Sequence, residues 1–151
     1  MTRIRKGFAV LAAAAVSALF AAALQAQEMG KVEVLWLGQS ATKITTPGGK
    51  VIVIDPFLVN NPKTPQQYKN LEALGKVDLI LVTHAHGDHF GDAPALSKMN
   101  NVPVYGPSGL NQVMITLGIL PPELSIRFNK GGTITPFGPD GVKITSTHAE
   151  H

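Results

Sequence analysis

A run of apolar residues leads directly into a cluster of histidines, and this junction restricts the possible folds more than any other feature. The segment from Leu79 to Asp92 reads LILVTHAHGDHFGD. Its first part belongs to VDLILVT (77–83), a continuous apolar stretch of the kind buried on both faces in α/β sheets. The sequence therefore predicts an internal strand that ends in a loop rich in imidazole.

The loop carries the spacing H-x-H-x-D-H, formed by His84, His86, Asp88 and His89. Two imidazoles two residues apart lie on the same side of an extended backbone. The carboxylate and the third imidazole follow round the bend, where they can face a second point nearby. Three imidazoles and one carboxylate suit zinc, manganese or iron. We therefore predict a divalent metal site, with zinc as the main candidate and manganese or iron as alternatives.

The first 26 residues have the pattern of a secretory signal peptide. A basic start precedes an apolar run over 7–24, and small residues near Ala26 permit cleavage. An uncleaved anchor is the alternative, but the run is mostly alanine, which is weakly hydrophobic for a bilayer. We expect residues 1–26 to be removed, which leaves a secreted or periplasmic domain of residues 27–151 without stable membrane anchoring.

Removing this leader changes the charge balance. It holds three of the 13 basic residues and none of the 10 acidic ones, so residues 27–151 carry ten of each. That balance gives no support to nucleic-acid binding, and we expect a small-molecule substrate instead. The chain has no cysteine, which excludes thiolate nucleophiles and thiolate metal ligands. Nothing in the composition predicts an oligomeric state.

The rest of the chain predicts one mixed α/β domain, with a hairpin-rich start and helices between the later strands. Gly75 is expected to stop the first helix and Ser108 to cap the last. A loop with three prolines covers 56–65. Trp36 and Tyr105 are expected in the core. Strands are predicted at 31–38, 41–45, 51–55, 77–83, 102–106, 124–128, 132–137 and 142–147, and helices at 66–74, 93–99 and 108–117.

The motif THAHGDH, preceded by VIVIDPF on an earlier strand, resembles the metallo-β-lactamase superfamily of metal-dependent hydrolases. LGQSATKI, IDPFLVNNP, THAHGDHFGD and NKGG together resemble its lactonase-like branch, which includes ascorbate-6-phosphate lactonase-like proteins. The match runs from about Val32 to His151. The resemblance implies an αβ/βα sandwich made of two similar halves, of which this chain would supply the first.

The resemblance also implies a two-metal site. It places His84 and His86 on the first metal, with His151 as the third ligand and His148 as the rival for that place. Asp88 and His89 would bind the second metal. The two metals would activate a water as hydroxide for attack on an ester, lactone, amide or phosphodiester, and Asp88 would hold the hydroxide and move its proton.

Two supporting roles complete the assignment. Asp55, in IDP, would orient a ligand histidine through its other ring nitrogen, although a plain aspartate at a strand end is an equal explanation. His148, if it is not the ligand, would lie beside the site or on the surface.

The sequence departs from the family at two places. Gln39 stands where branch members often have histidine. The family also has a bridging aspartate and a last histidine further downstream, and this chain ends at His151 before either. We therefore expect an incomplete chain whose own activity is doubtful.

Two other interpretations remain. A non-catalytic periplasmic metal-binding module would use the same histidines to hold zinc. An amidohydrolase-type barrel also begins with H-x-H after a strand, but it needs a far longer chain and does not require the pair Asp88 and His89.

Overall fold

The structure is a computed structural model that describes residues 30–149. The predicted signal peptide and His151 lie outside the described residues. In the described range, none of the helices combines the length and apolar composition needed to traverse a bilayer.

The centre of the fold is a mixed six-stranded sheet in the order β1-β2-β3-β4-β5-β6. The first three strands form an antiparallel meander, and β3 to β6 run parallel. This confirms the predicted mixed α/β class. The strands are β1 Glu33–Gly38, β2 Ala41–Thr45, β3 Val51–Ile54, β4 Leu79–Leu81, β5 Val104–Gly106 and β6 Ser125–Arg127.

Three helices and a small second sheet complete the fold. Helix α1 (Gly87–Phe90) is a single turn, α2 spans Ala93–Asn100 and α3 spans Ser108–Thr116. Strands β7 (Thr133–Ile134) and β8 (Ile144–Thr145) pair antiparallel. Because the strands β3 to β6 are parallel, the loops that follow them all leave from the same edge of the sheet.

One face of the sheet carries the core. Val53, Ile80 and Val104 are neighbours across three strands and are fully buried. Leu96 of α2 and Met114 of α3 belong to the same buried cluster. Burying side chains of this size contributes about 1.5–3 kcal/mol each.

The other face carries a second row of register partners. It comprises Trp36, Thr42, Ile54, Leu81, Tyr105 and Ile126, one from each strand. The members from β2 to β6 are half-buried, whereas the indole of Trp36 is 62% exposed. Apolar side chains therefore stand on both faces, as expected for strands in the parallel part of a sheet.

The predicted helix over 66–74 is wrong. The segment forms two 3₁₀ turns, Gln66–Lys69 and Leu71–Leu74. Asn70 between them is extended, with φ −93° and ψ 117°, and its side chain accepts from the Glu72 amide. A side chain that bonds the local backbone in this way competes with helix continuation. Gly75 ends the segment with φ 68°, as predicted.

Two further expectations need correction. Ser108 is the first residue of α3 and not its cap: Pro107 holds the cap position and no side chain caps the helix. Trp36 is not in the core, although its indole Nε1 donates to the Gln39 carbonyl over 2.8 Å. Tyr105 is half-buried and packs edge-on against Phe128, with ring centroids 6.5 Å apart.

Candidate metal centre

The histidine loop and Asp55 meet at the edge where parallel strands end. Asp55 directly follows β3, and the loop over 82–89 follows β4. The register pairs Ile54 with Leu81, so the residues just beyond these two positions are brought side by side. The strand-to-loop junction seen in the sequence therefore positions the cluster.

Asp55 is a buried carboxylate with both oxygens engaged. Its side chain lies at the base of the loop, and the residue is 3% exposed. The Thr83 amide donates to Oδ1 over 2.7 Å, and the Thr83 hydroxyl donates to Oδ2 over 2.8 Å. Asp55 has φ 47°, and its amide donates to the Leu81 carbonyl over 2.9 Å. Backbone and side chain together therefore hold this carboxylate in one place.

The carboxylate orients the ring of His89. His89 Nδ1 lies 2.9 Å from Asp55 Oδ2. A carboxylate only accepts, so Nδ1 carries a proton, and Nε2 is the nitrogen that carries the lone pair in the neutral form of the ring. This is the arrangement in which a histidine presents Nε2 to a cation.

Thr83 connects the Asp55 carboxylate to the ring of His84. Its hydroxyl hydrogen goes to Asp55, so its oxygen is left to accept from His84 Nδ1, 3.0 Å away. Nε2 of His84 then also carries the ring lone pair. One buried carboxylate and one hydroxyl therefore select the ligand tautomer of two histidines.

The three imidazoles of the loop lie against one another. The ring centroid of His84 is 4.6 Å from that of His86 and 4.0 Å from that of His89. The turn of α1 produces this packing, because the His86 carbonyl accepts from the amides of His89 and Phe90. Sequence patterning did not predict this helical turn.

Asp88 lies on the outer side of the cluster. One of its oxygens is 3.9 Å from His89 Nε2, and the same oxygen accepts a hydrogen bond from the Gln39 side-chain amide. Desolvation opposes ionisation, but hydrogen bonds from its own backbone amide and from Gln39, with His89 and His86 nearby, outweigh it and lower the pKa of Asp88. The carboxylate is therefore ionised at neutral pH, as a cation ligand must be.

The donor chemistry fits a divalent cation, but the described donors come in pairs. Between residues 30 and 149, no three His, Asp or Glu side chains are arranged to hold one ion. The family resemblance pairs His84 with His86 and Asp88 with His89. A zinc site takes about four ligands, so each ion needs donors from beyond this loop. His151, which the family resemblance assigns to the first ion, lies outside the described residues.

His148 lines the same groove as His84. The groove has a volume of about 980 Å³, and Lys130 also lines it. Lys130 Nζ is 3.2 Å from His148 Nδ1. An ammonium only donates, so Nδ1 accepts and the ring proton of His148 resides on Nε2.

Sequence reasoning missed three residues that shape the centre: Gln39, Thr83 and Asp92. Asp92 Oδ2 accepts from the amides of Leu58 and Val59 over 2.6 and 3.0 Å, which holds the proline-rich loop against the histidine loop. Thr83 and Asp92 flank the histidine motif in sequence, which was a usable signal. Gln39 was marked in the sequence only as a departure from the family, and its contact with Asp88, 49 residues away, was not predicted.

The comparisons with known proteins agree with this geometry. The profile of the Metallo-beta-lactamase superfamily matches residues 34–151. The chain belongs to the metallo-β-lactamase superfamily. The matched residues include the sheet edge that gathers the histidines.

Several relatives in the superfamily are named for metal-dependent hydrolysis. A UPF0173 metal-dependent hydrolase of Cupriavidus necator is 64% identical over 122 residues, which is 81% of this chain and 42% of that protein. One from a Polaromonas species is 57% identical over 148 residues, which is 98% of this chain and 54% of that protein. The chain spans about half the length of these curated relatives.

A solved structure supports the fold. Igni18, described as a novel metallo hydrolase from the archaeon Ignicoccus hospitalis, superimposes with a TM-score of 0.57 and 28% identity. The superposition covers 69% of this chain and 42% of Igni18. The similarity to Igni18 therefore extends over less than half of that protein.

Proposed function

We propose that this chain carries the cation-binding loop of a metal-dependent hydrolase that acts on a small ester or lactone, with amides and phosphodiesters as the other substrate classes. The observation that carries the proposal is the shared buried carboxylate. Asp55 acts directly on His89 and through Thr83 on His84, so both rings present Nε2. A histidine that ligates a cation typically donates its other ring N–H to a carboxylate or a similar acceptor, which is the arrangement seen here.

A divalent cation, when bound, supplies a Lewis acid that lowers the pKa of water to about 7. His84 and His86 would hold one such cation, and Asp88 and His89 would hold a second. Zinc is the proposed cation because three imidazoles and a carboxylate suit it, with manganese and iron as the alternatives. The ionised Asp88 carboxylate is the group of this loop that can take a proton from the attacking water.

The third ligand of the first cation is proposed to be His151. The contact between Lys130 and His148 supports this choice, because it engages one ring nitrogen of His148 with an ammonium, whose charge repels a cation. His148 then has a supporting role at the groove. The leader of residues 1–26 supports export to the periplasm or the exterior.

The lactone and ester substrates rest on the resemblance to the lactonase-like branch. The groove beside His84 contributes no carboxylate from its lining residues, and Lys130 is its one fully charged side chain within the described part of the chain. Such a lining accepts a neutral or anionic molecule more readily than a cationic one.

Metal content tests the proposal. The purified protein is expected to bind zinc, and a His84→Ala, His86→Ala double variant should lose most of it. A Gln66→Ala, Gln67→Ala double variant is the control, because both residues are exposed on the 3₁₀ turn. Equal stoichiometry in the histidine variant and the unaltered protein would refute the site.

Hydrolysis tests the reaction class. Chromogenic esters, lactones and phosphodiesters are assayed with the zinc-loaded protein and with the His84→Ala, His86→Ala variant. Turnover that disappears in the variant supports a hydrolase. Tight zinc binding without turnover of any substrate would favour the non-catalytic metal-binding module instead.

A further inference from the structure

The contact between Gln39 and Asp88 has no place in the motif that predicts the metal centre. The Gln39 side-chain amide donates to Asp88 Oδ2 across a separation of 49 residues. We propose that Gln39 is a positioning residue, which holds Asp88 in the orientation that pairs its carboxylate with His89 for the second cation. This inference rests on the proposed function of the loop.

Gln39 is presented to the centre by an unusual turn between β1 and β2. Gly38 has φ 104° and Gln39 has φ 53°, so two consecutive residues are left-handed. Left-handed backbone is unfavourable for glutamine, so other contacts must hold it. The Gln39 carbonyl accepts from the Trp36 indole over 2.8 Å.

Gly38 is the point at which this turn is pressed against the proline-rich loop. A Cβ at Gly38 would lie 2.8 Å from the Lys63 carbonyl carbon, which leaves room only for glycine. The Gly38 carbonyl accepts from Asn61 Nδ2 over 3.2 Å. The turn is therefore fixed by contacts that do not involve the histidines.

Asn61, which donates to the Gly38 carbonyl, is a buried residue with further hydrogen bonds. It is 1% exposed, and Nδ2 also donates to the Phe57 carbonyl over 3.0 Å while Oδ1 accepts from the Lys63 amide over 2.9 Å. An amide with all these partners satisfied is rigid. Asn61 therefore fixes the path from the proline-rich loop to the turn that carries Gln39.

These contacts connect the histidine loop, the proline-rich loop and the turn between β1 and β2. Asp92, at the end of that loop, binds the amides of Leu58 and Val59 in the proline-rich loop. Asn61 joins the proline-rich loop to Gly38, and Gln39 returns to Asp88. Asp88 and Asp92, on the C-terminal side of the histidine loop, are therefore fixed to the same support.

Because both side chains are exposed, we expect the contact between Gln39 and Asp88 to orient Asp88 more than it stabilises the fold. Gln39 is exposed, and the Asp88 side chain is 46% exposed. Polar contacts between exposed side chains contribute little to folding. An outer-sphere hydrogen bond to a cation ligand, in contrast, typically changes cation affinity 10–100-fold.

The test compares Gln39→Leu, Asp88→Ala and the double variant. Affinity is measured by Co²⁺ titration followed by absorbance, and the thermal midpoint is measured on protein treated with chelator. Leucine matches the bulk of glutamine but lacks the donor. Gln67→Leu is the matched control, because Gln67 is exposed on a 3₁₀ turn away from the histidine loop.

We expect Gln39→Leu to weaken Co²⁺ binding about tenfold, with the metal-free midpoint no more altered than in Gln67→Leu. The double variant should bind Co²⁺ like Asp88→Ala alone, because Gln39 acts through Asp88. Gln39→His, which restores a ring donor of similar reach, should recover most of the affinity.

Two results would overturn the positioning role. One is Co²⁺ affinity in Gln39→Leu equal to that of the unaltered protein. The other is additivity, in which the losses of the two single variants sum in the double variant. If the unaltered protein itself binds no Co²⁺, the proposed metal function fails and the positioning role falls with it.

Discussion

Asp55 and His89 are joined across the parallel pair β3 and β4, with Oδ2 of the one 2.9 Å from Nδ1 of the other. The same oxygen accepts the Thr83 hydroxyl. The tautomer of two histidines is therefore set by a residue from a neighbouring strand. Each link of this relay can be removed by an isosteric substitution.

Asp55→Asn should lower zinc affinity about 10–100-fold. An amide keeps the size of the carboxylate but cannot accept from the Thr83 amide, the Thr83 hydroxyl and His89 at once. Zinc competition titration is the measurement. Asp140→Asn, on an exposed turn, is the matched control and should bind zinc normally. An unchanged affinity in Asp55→Asn would remove the basis for the tautomer argument.

Thr83→Val should weaken zinc binding in the same titration, whereas Thr83→Ser should not. Valine has the shape of threonine without the hydroxyl, so His84 Nδ1 loses its acceptor and Asp55 loses a donor. The loss of partners at the buried carboxylate should also cost about 1–3 kcal/mol in the free energy of unfolding. If valine and serine behave alike, the relay through the hydroxyl is wrong.

Gly38→Ala should lower the free energy of unfolding by more than Gly49→Ala. Both glycines have positive φ, 104° and 74°, so both substitutions incur a backbone cost of about 1–2 kcal/mol. A Cβ at Gly38 would also meet Lys63, whereas one at Gly49 would have no atom within 4 Å. Urea denaturation measures both, and equal losses would show that the turn is not pressed against the proline-rich loop.

Asp78→Asn should destabilise the protein at neutral pH and not in acid. The Asp78 side chain is 9% exposed, accepts from the Val51 amide over 3.0 Å and pairs with Lys76 over 2.9 Å. Desolvation raises the pKa of Asp78, but the Val51 amide, Lys76 and Lys50 outweigh it, so that the pKa falls below its ordinary 3.8.

The sign of this pH effect follows from the lowered pKa. The charged form contributes stability above pH 3.8, and the contribution is lost as pH falls through the lower pKa of the folded state. We expect Asp78→Asn to lose about 1 kcal/mol at pH 7. The difference from the unaltered protein should shrink below pH 4 in urea titrations. A difference that is constant with pH would exclude an ionic origin.

The histidine loop could be predicted from the sequence because its candidate ligands lie close together in the chain. Four donors in six positions, placed directly after a continuous apolar strand, predict both the chemistry and the sheet edge. The contacts that support the loop could not be predicted from the sequence. Gln39 and Asn61 act through contacts with distant segments, and nothing in their neighbouring residues marks them.

Trp36 shows a different limit of prediction from the sequence. Alternation in β1 places its side chain on one face of the sheet, together with Val34. Alternation does not tell whether another layer covers that face, and both residues are more than 60% exposed. The helix predicted over 66–74 does not form, and the cause is local. The Asn70 side chain accepts from the Glu72 amide and so competes with helix continuation.

The sheet changes from an antiparallel meander to parallel strands at β3, and this change affects when the proposed metal centre forms during folding. Contacts within the meander span few residues and close quickly, whereas pairing of β3 with β4 encloses a long loop and closes slowly. The histidines are local to one loop, but the carboxylate that orients them arrives only with that slower closure. Cation affinity should therefore rise late in refolding, in step with the docking of β3 on β4.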